Sequence, residues 1–378
     1  VTVSYKRRYL EKAERLTENF RLRADEYDQR GMFPFENFEE LKEEDFLSLT
    51  IPKKFGGAGL NLVEFLEIQV KLSQGDAPTA LSLGWHLGVI LEAAEKENWQ
   101  GDSFFTLCKK IVNQQVLINQ AATERATGSP SRGGLPTTVA VKERNCWIIN
   151  GTKSFTSMAV ALDYSVVTAR IEGTEKKGTF LIDHSLPGVE VEETWDSIAM
   201  RGTKSDDLVL NDVFIDEQAL LFEHKANPLP EAWYLQIPAV YLGIATSARD
   251  YAIEFAGEFT PTTLPSPIKD TPEIQRKVGE IELELFKARE LLFGVARKWM
   301  DQPEQRKNMR SDLAAVKHIV TNSANNVVDL AMRIVGARSL SQTNPLQRHF
   351  RDVRAGLHNP PSDDIIISSL GKQAFKAR

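Results

Sequence analysis

The hydrophobic period of this chain changes twice. From Tyr9 to Gly31 apolar residues recur at helical spacing amid charge. Phe35–Leu49 repeats the pattern, with Phe35, Phe38, Leu41 and Phe46 on one face. IPKKFGGAGL then forces a turn through Pro52 and Gly56–Gly57. A helix is predicted from Leu62 to Gln74. Another, over Ala80–Asn98, has so little polar face that it must be buried. Beyond residue 115 the period shortens. Val139–Val141, Cys146–Ile149, Tyr164–Ala169, Gly178–Ile182, Val189–Glu192 and Asp207–Phe214 are short runs rich in β-branched and aromatic residues. Polar turns separate them, including Asn150–Gly151 as a hairpin turn and Leu186–Pro187–Gly188. From Leu235 the helical period returns in Ile237–Gly257, Thr271–Met300, Ser311–Val335 and Ser362–Ala377. The proline-rich loop FTPTTLPSPIKDTP separates the first two.

The pattern predicts an α+β protein. An N-terminal helical domain spans residues 1–115. A middle β-barrel or sandwich domain spans 116–225, and a C-terminal four-helix bundle spans 226–378.

Composition narrows the picture. A chain of 378 residues with 42% hydrophobic residues can bury a core without a disulfide or metal staple. A net charge of −6 argues against a nucleic-acid binder, which needs a basic field. The longest apolar region, Leu81–Ala94, is broken by Trp85, His86 and Glu92, so no membrane helix is expected. The first residues carry charge where a secretion signal needs an apolar run, and the chain opens on Val1 without a methionine. Cys108 and Cys146 form no CxxC, which predicts no metal site and suits a reducing cytoplasm.

Four segments can carry chemistry. In AATERATGSPSRGG, Thr123, Thr127 and Ser129, with amides freed around Gly128, can bind a phosphate or a polar ring edge. The segment also reads as a plain connector between domains. In IINGTKSFTSMA, Phe155 sits among Ser154, Thr156 and Ser157, a pattern suited to stacking on a planar cofactor or to an ordinary strand. Arg201, Thr203 and Ser205 alternate like the solvated face of a strand. Arg333–Asp364 is rich in arginine, which suits phosphate or carboxylate recognition, or charge pairing within the bundle to Asp352, Asp363 and Asp364. The spacing supports no HExxH, paired-carboxylate or Ser/His/Asp arrangement.

Together and in order, these segments resemble the acyl-CoA dehydrogenase superfamily of flavoproteins. IPKKFGGAGL resembles its IPxxxGGxG turn, AATERATGS its TEPxAGS segment, and NGTKSFTSMA its NGxKxWITNG strand. AMRGTKSDDLVLNDVFI resembles GMRxTxSxxxxFxxVxVP, and VGARSL followed by PLQRHFRD resembles xGGxGYxxxxPxxRxxRD. The resemblance implies an acyl-CoA dehydrogenase-like fold and FAD, or FMN, as cofactor. Thr123 and Ser129 would lie near the ring and ribityl phosphate, with backbone contacts from Gln120 and Ala122 and the turn at Gly128. Phe155 stands for a tryptophan that shields one flavin face. Ser157 stands for a threonine near the reactive nitrogen, and Thr156 lies between them. Arg333 and Gly336 fall where a second subunit meets the adenine half of FAD, which implies a homodimer or homotetramer.

Three departures matter. The family's usual catalytic glutamate position holds Pro360, in NPPS, and a minority position on the first bundle helix holds Trp233 with Glu231 nearby. The RxxFG segment that supplies a pyrophosphate arginine is replaced by the proline-rich loop. RDVRAGLHNP instead resembles the RxxRTHTLHDP segment of the dibenzothiophene monooxygenase-like branch, which places His358 beside a flavin C4a-hydroperoxide. Three functions therefore stay open. The first is a flavin-dependent oxidoreductase acting on a small molecule such as an acyl-CoA thioester, with an electron-transfer partner. The second is a monooxygenase fed by a flavin reductase, with His358 catalytic. The third is a non-catalytic flavin- or acyl-CoA-binding paralogue.

Overall fold

The computed structural model describes residues 5–128, 134–224 and 229–376. Five helices open the chain: α1 (Tyr5–Arg30), α2 (Phe35–Glu43), α3 (Leu62–Leu72), α4 (Ala77–Lys96) and α5 (Ser103–Gln114). The predicted second helix is shorter than its hydrophobic period. Asp45 adopts φ +64°, which breaks α2, and Phe46–Ser48 continue as one 3₁₀ turn. Asn61 and Glu64 form a reciprocal capping box that starts α3. Asp76 caps α4, and Pro78 sits in its first turn. As its composition demands, α4 is buried over most of its length.

His86 ties α4 to both neighbours. Its Nε2–H donates to the Leu47 carbonyl at 2.9 Å, and its Nδ1 accepts the Ile118 amide at 3.1 Å. Both bonds require the neutral ring. Burial pulls this imidazole down to about 4.

Eight strands form one mixed sheet among the described residues: β1 (Ile118–Ala121), β2 (Val139–Glu143), β3 (Cys146–Thr156), β4 (Tyr164–Ile171), β5 (Lys177–Asp183), β6 (Val189–Glu192), β7 (Asp206–Asp216) and β8 (Leu220–Glu223). The order is β6-β7-β3-β2-β4-β5-β8, and β1 lies parallel to β4. Two of these strands, β1 and β8, are four-residue segments with no period of their own. Asn150–Gly151 is not a hairpin turn. It is a bulge inside β3, where the pairing with β7 slips between Ile149 and Gly151. Gly151 has φ +147°, and a Cβ there would meet Thr138 Oγ1 at 2.6 Å. The real turn is Arg144–Asn145, with Arg144 at φ +46°.

The C-terminal bundle is α6 (Gln236–Glu258), α7 (Pro272–Asp301), α8 (Arg310–Val335) and α9 (Pro345–His358). The fourth helix is therefore α9 and not the predicted 362–377 segment. Its core face is partly polar, with Leu346, His349, Asp352, Val353 and Gly356 buried, so a hydrophobic period does not reveal it. Its arginines pair with the N-terminal helix, Arg348 with Asp25 and Arg351 with Asp28, and not with Asp352, Asp363 or Asp364. A tenth helix, α10 (Asp363–Lys376), leans on α8 through Asp363 and Ile366 and is mostly exposed beyond them. Cys108 and Cys146 are free thiols. No described helix is long and apolar enough to cross a membrane.

One ion pair closes the sheet around β1. Lys153 Nζ lies 2.6 Å from Glu124 Oε1, with side chains 0% and 2% exposed. The ammonium also donates to the Thr168 carbonyl at 2.6 Å. Glu124 accepts the amide and hydroxyl of both Thr137 and Thr138 at 2.6–3.0 Å. Burial alone would raise this carboxyl, but the bonds from Lys153, Thr137 and Thr138 outweigh it and hold it at about 2. The pair spans the turn after β1 and the middle of β3.

Lys153→Met leaves a buried carboxylate without its cation and should cost about 3–5 kcal/mol in urea denaturation. Adding Glu124→Gln should recover part of that loss; a Lys153→Met variant as stable as wild type contradicts the account. Because the folded-state carboxyl is depressed, Glu124 contributes its stability above pH 4.5 and loses it as pH falls toward 2. His86 has the same sign of pH dependence: its contribution is complete above pH 6.5 and is lost as pH falls toward 4. Its NMR carbon shifts should stay those of a neutral ring at pH 5; a charged ring there contradicts the assignment.

Candidate functional site

Two segments run side by side where the sheet meets the helices. The chain leaves β1 at Ala121, and the Ser154 amide donates to the Thr123 carbonyl at 2.8 Å. Asn119 Nδ2 donates to the Ser157 carbonyl at 3.0 Å, while Asn119 Oδ1 accepts the Gln120 amide at 2.7 Å. Gln120, Ala122 and Thr123 therefore lie against Ser154–Ser157. Beyond them Gly128, at φ +70°, closes a tight turn by donating its amide to the Glu124 carbonyl at 2.7 Å. Ser129 falls outside the described residues.

Phe155 is the exception in an otherwise buried strand end. It adopts φ +58°, which turns its ring outward to 64% exposure. Its only described ring neighbour is Trp195, edge-on at 6.0 Å and 81°. An exposed aromatic ring fixed by a left-handed backbone is costly unless something covers it. Beside it, Thr156 Oγ1 is buried with no hydrogen-bond partner among the described residues.

Ser157 begins a line of hydroxyls. Its Oγ lies 2.9 Å from Ser205 Oγ, which lies 2.8 Å from Thr203 Oγ1. Thr203 Oγ1 in turn donates to the Met200 carbonyl at 2.9 Å. Thr203 and Ser205 are thus buried, not the solvated strand face that their alternation suggests, because Arg201–Thr203 form a 3₁₀ turn that tucks them inward. Arg201 crosses to α1, donating Nε to the Asp28 carbonyl at 2.6 Å. The same loop is pinned to α9: Met200 donates its amide to Asp352 at 2.5 Å, and Arg351 donates to the Ile198 carbonyl at 2.7 Å.

An exposed ring, an unpartnered buried hydroxyl and an acceptor-rich loop fit the face and edge of a planar flavin. Three further candidates come from the C-terminal bundle. His358 ends α9, exposed and with no side-chain hydrogen bond among the described residues. Arg333 and Gly336 lie exposed at the far end of α8, where Arg333 pairs with Asp329 at 2.7 Å. The structure thus gathers Gln120, Ala122, Thr123, Thr156, Phe155 and Ser157, and leaves Arg333 and Gly336 apart from them. Sequence reasoning missed the roles of Asn119, Glu124, Lys153 and Trp195. The spacing of Glu124 and Lys153 gives no hint that they meet.

Near the end of α9, Asn359 Oδ1 accepts the Tyr241 hydroxyl at 2.6 Å. Asp363 is held by His318, Lys317 and Asn322. Glu231 pairs with Lys96 at 3.1 Å, and Lys96 also binds Glu92. Trp233 donates its indole N–H to Glu92 at 2.9 Å. Burial and the nearby Glu231 push the Glu92 carboxyl up to about 7.

Comparison with known proteins agrees with this architecture. The chain matches the N-terminal, middle and C-terminal domain models of acyl-CoA dehydrogenase over residues 6–97, 119–213 and 235–359. It is 50% identical over 373 residues to the Bacillus subtilis (strain 168) protein "Putative acyl-CoA dehydrogenase YdbM", covering 98% of this chain and 97% of that one. It is 25% identical to a dibenzothiophene monooxygenase of Rhodococcus erythropolis, over 96% of this chain and 92% of that one. Its fold superimposes on FMN-bound TdsC from Paenibacillus sp. A11-2 with a TM-score of 0.88 at 23% identity, covering 98% of both chains. On these matches across all three of its parts, the chain belongs to the acyl-CoA dehydrogenase family.

Proposed function

We propose that this protein is a flavin-dependent oxidoreductase that carries out a monooxygenation, with the flavin ring on Phe155 and Ser157 and with His358 as the proton donor. The observation that carries this reading is the state of the carboxylates. Dehydrogenation of an acyl thioester needs a free base for the α-proton. Pro360 cannot serve, Asp363 is held by three partners, Asp364 lies exposed in the first turn of α10, and Glu231 is paired with Lys96. An imidazole without a partner, at the end of α9, is by contrast free to give a proton. The flavin, FMN or FAD, would supply the electrons and activate oxygen. The chain's own groups hold the ring, limit water and deliver the proton. The relationship to a dibenzothiophene monooxygenase supports this reading.

A second reading rests on Glu92. Its raised carboxyl meets Trp233, the residue at the minority position for the family's base. If Glu92 is a displaced base, the enzyme is a dehydrogenase, and its rate rises with pH through about 7.

Anaerobic flavin spectra separate the two. The protein is loaded with FAD or FMN and titrated with a panel of acyl-CoAs. The monooxygenase reading expects no bleaching of the oxidised band. Bleaching that Glu92→Gln abolishes overturns it in favour of the second reading. His358→Ala should keep flavin affinity and slow air re-oxidation of the bound reduced flavin by at least about tenfold. An unchanged rate removes His358 from the mechanism. Arg333 and Gly336 serve the cofactor only of a neighbouring copy, so light scattering should give a dimer or tetramer; a monomer contradicts that role.

A further inference from the structure

We propose that the hydroxyl line Ser157–Ser205–Thr203 is polarised in one direction, so that Ser157 presents only an acceptor to the cofactor and the protein selects reduced over oxidised flavin. The inference rests on the flavin reading above and on a count of protons. Each hydroxyl carries one proton and two acceptor lone pairs. The Met200 carbonyl can only accept, so Thr203 spends its proton there at 2.9 Å. The 2.8 Å contact between Thr203 and Ser205 must then be donated by Ser205. The 2.9 Å contact between Ser205 and Ser157 must be donated by Ser157. Three contacts and three protons leave one arrangement. All three residues are buried, so water does not readily exchange into the line.

Ser157 therefore keeps lone pairs and has no proton to offer. The reactive N5 of a flavin is an acceptor when oxidised and an N–H donor when reduced. Opposite Ser157 Oγ the reduced form makes a hydrogen bond, and the oxidised form faces lone pair against lone pair. For the oxidised form to be served, Ser157 must turn and break the line. Such a preference suits a protein that receives its flavin already reduced.

The test is the ratio of dissociation constants for oxidised and reduced flavin, measured anaerobically with FMN and with FAD. Wild type should bind the reduced form at least about tenfold more tightly. Ser205→Ala releases the Ser157 proton, and the ratio should fall by about tenfold. For a two-electron couple that lowers the bound-flavin potential by about 30 mV. Thr203→Val should act in the same way by freeing Ser205 to turn, whereas Thr203→Ser should keep the wild-type ratio. A wild-type ratio in both Ser205→Ala and Thr203→Val overturns the proposal while leaving the flavin site intact. Phe155→Ala should weaken both forms together. If it changes neither affinity, the flavin does not sit here, and the proposal falls with that reading.

Discussion

A fully buried ion pair sets the geometry on which the site depends. Lys153 and Glu124 meet at 2.6 Å in the interior of the sheet. Neither can be left alone there, since an unpaired buried charge costs several kcal/mol. Glu124 spends its remaining lone pairs on Thr137 and Thr138, and Lys153 spends a proton on Thr168. The pair therefore fixes the turn after β1, the start of β2, the middle of β3 and a point on β4 relative to one another. An apolar pair of equal volume could fill the space, but it would not set the register of these segments.

The candidate site residues are direct neighbours of that pair. Thr123 precedes Glu124, and Ser154–Ser157 follow Lys153 in sequence. With both segments held, the strand end can afford the left-handed Phe155 that turns a bare ring outward. A second set of charges, Arg351 with Asp28 and Asp352 with the Met200 amide, holds the 195–205 loop between α1 and α9. That loop brings Trp195 to Phe155 and Ser205 to Ser157. Sheet, N-terminal helices and bundle thus each contribute one restraint to the same surface.

The alternation of helical and strand periods made the three-part architecture legible, and the ordered motifs made the family legible. What escaped was set by polar contacts over long sequence separation. Helix α9 packs a partly polar face against its neighbours, so no hydrophobic period announces it. The short β1 exists because His86 and β4 pair with its backbone, not through its own propensity. Asn150–Gly151 carries the usual signature of a hairpin, but the approach of Thr138 makes it a bulge. Arg201, Thr203 and Ser205 have the spacing of a solvated strand, and one 3₁₀ turn buries two of them. At the site, the sequence supplied the residue types near Phe155; the direction of the hydroxyl line requires coordinates.

The most direct test is a crystal structure of the protein loaded with flavin. The account predicts the ring covering Phe155, with Ser157 Oγ within hydrogen-bond distance of N5 and the Lys153–Glu124 pair unchanged. A flavin bound elsewhere, with the Phe155 ring still exposed to solvent, would contradict it.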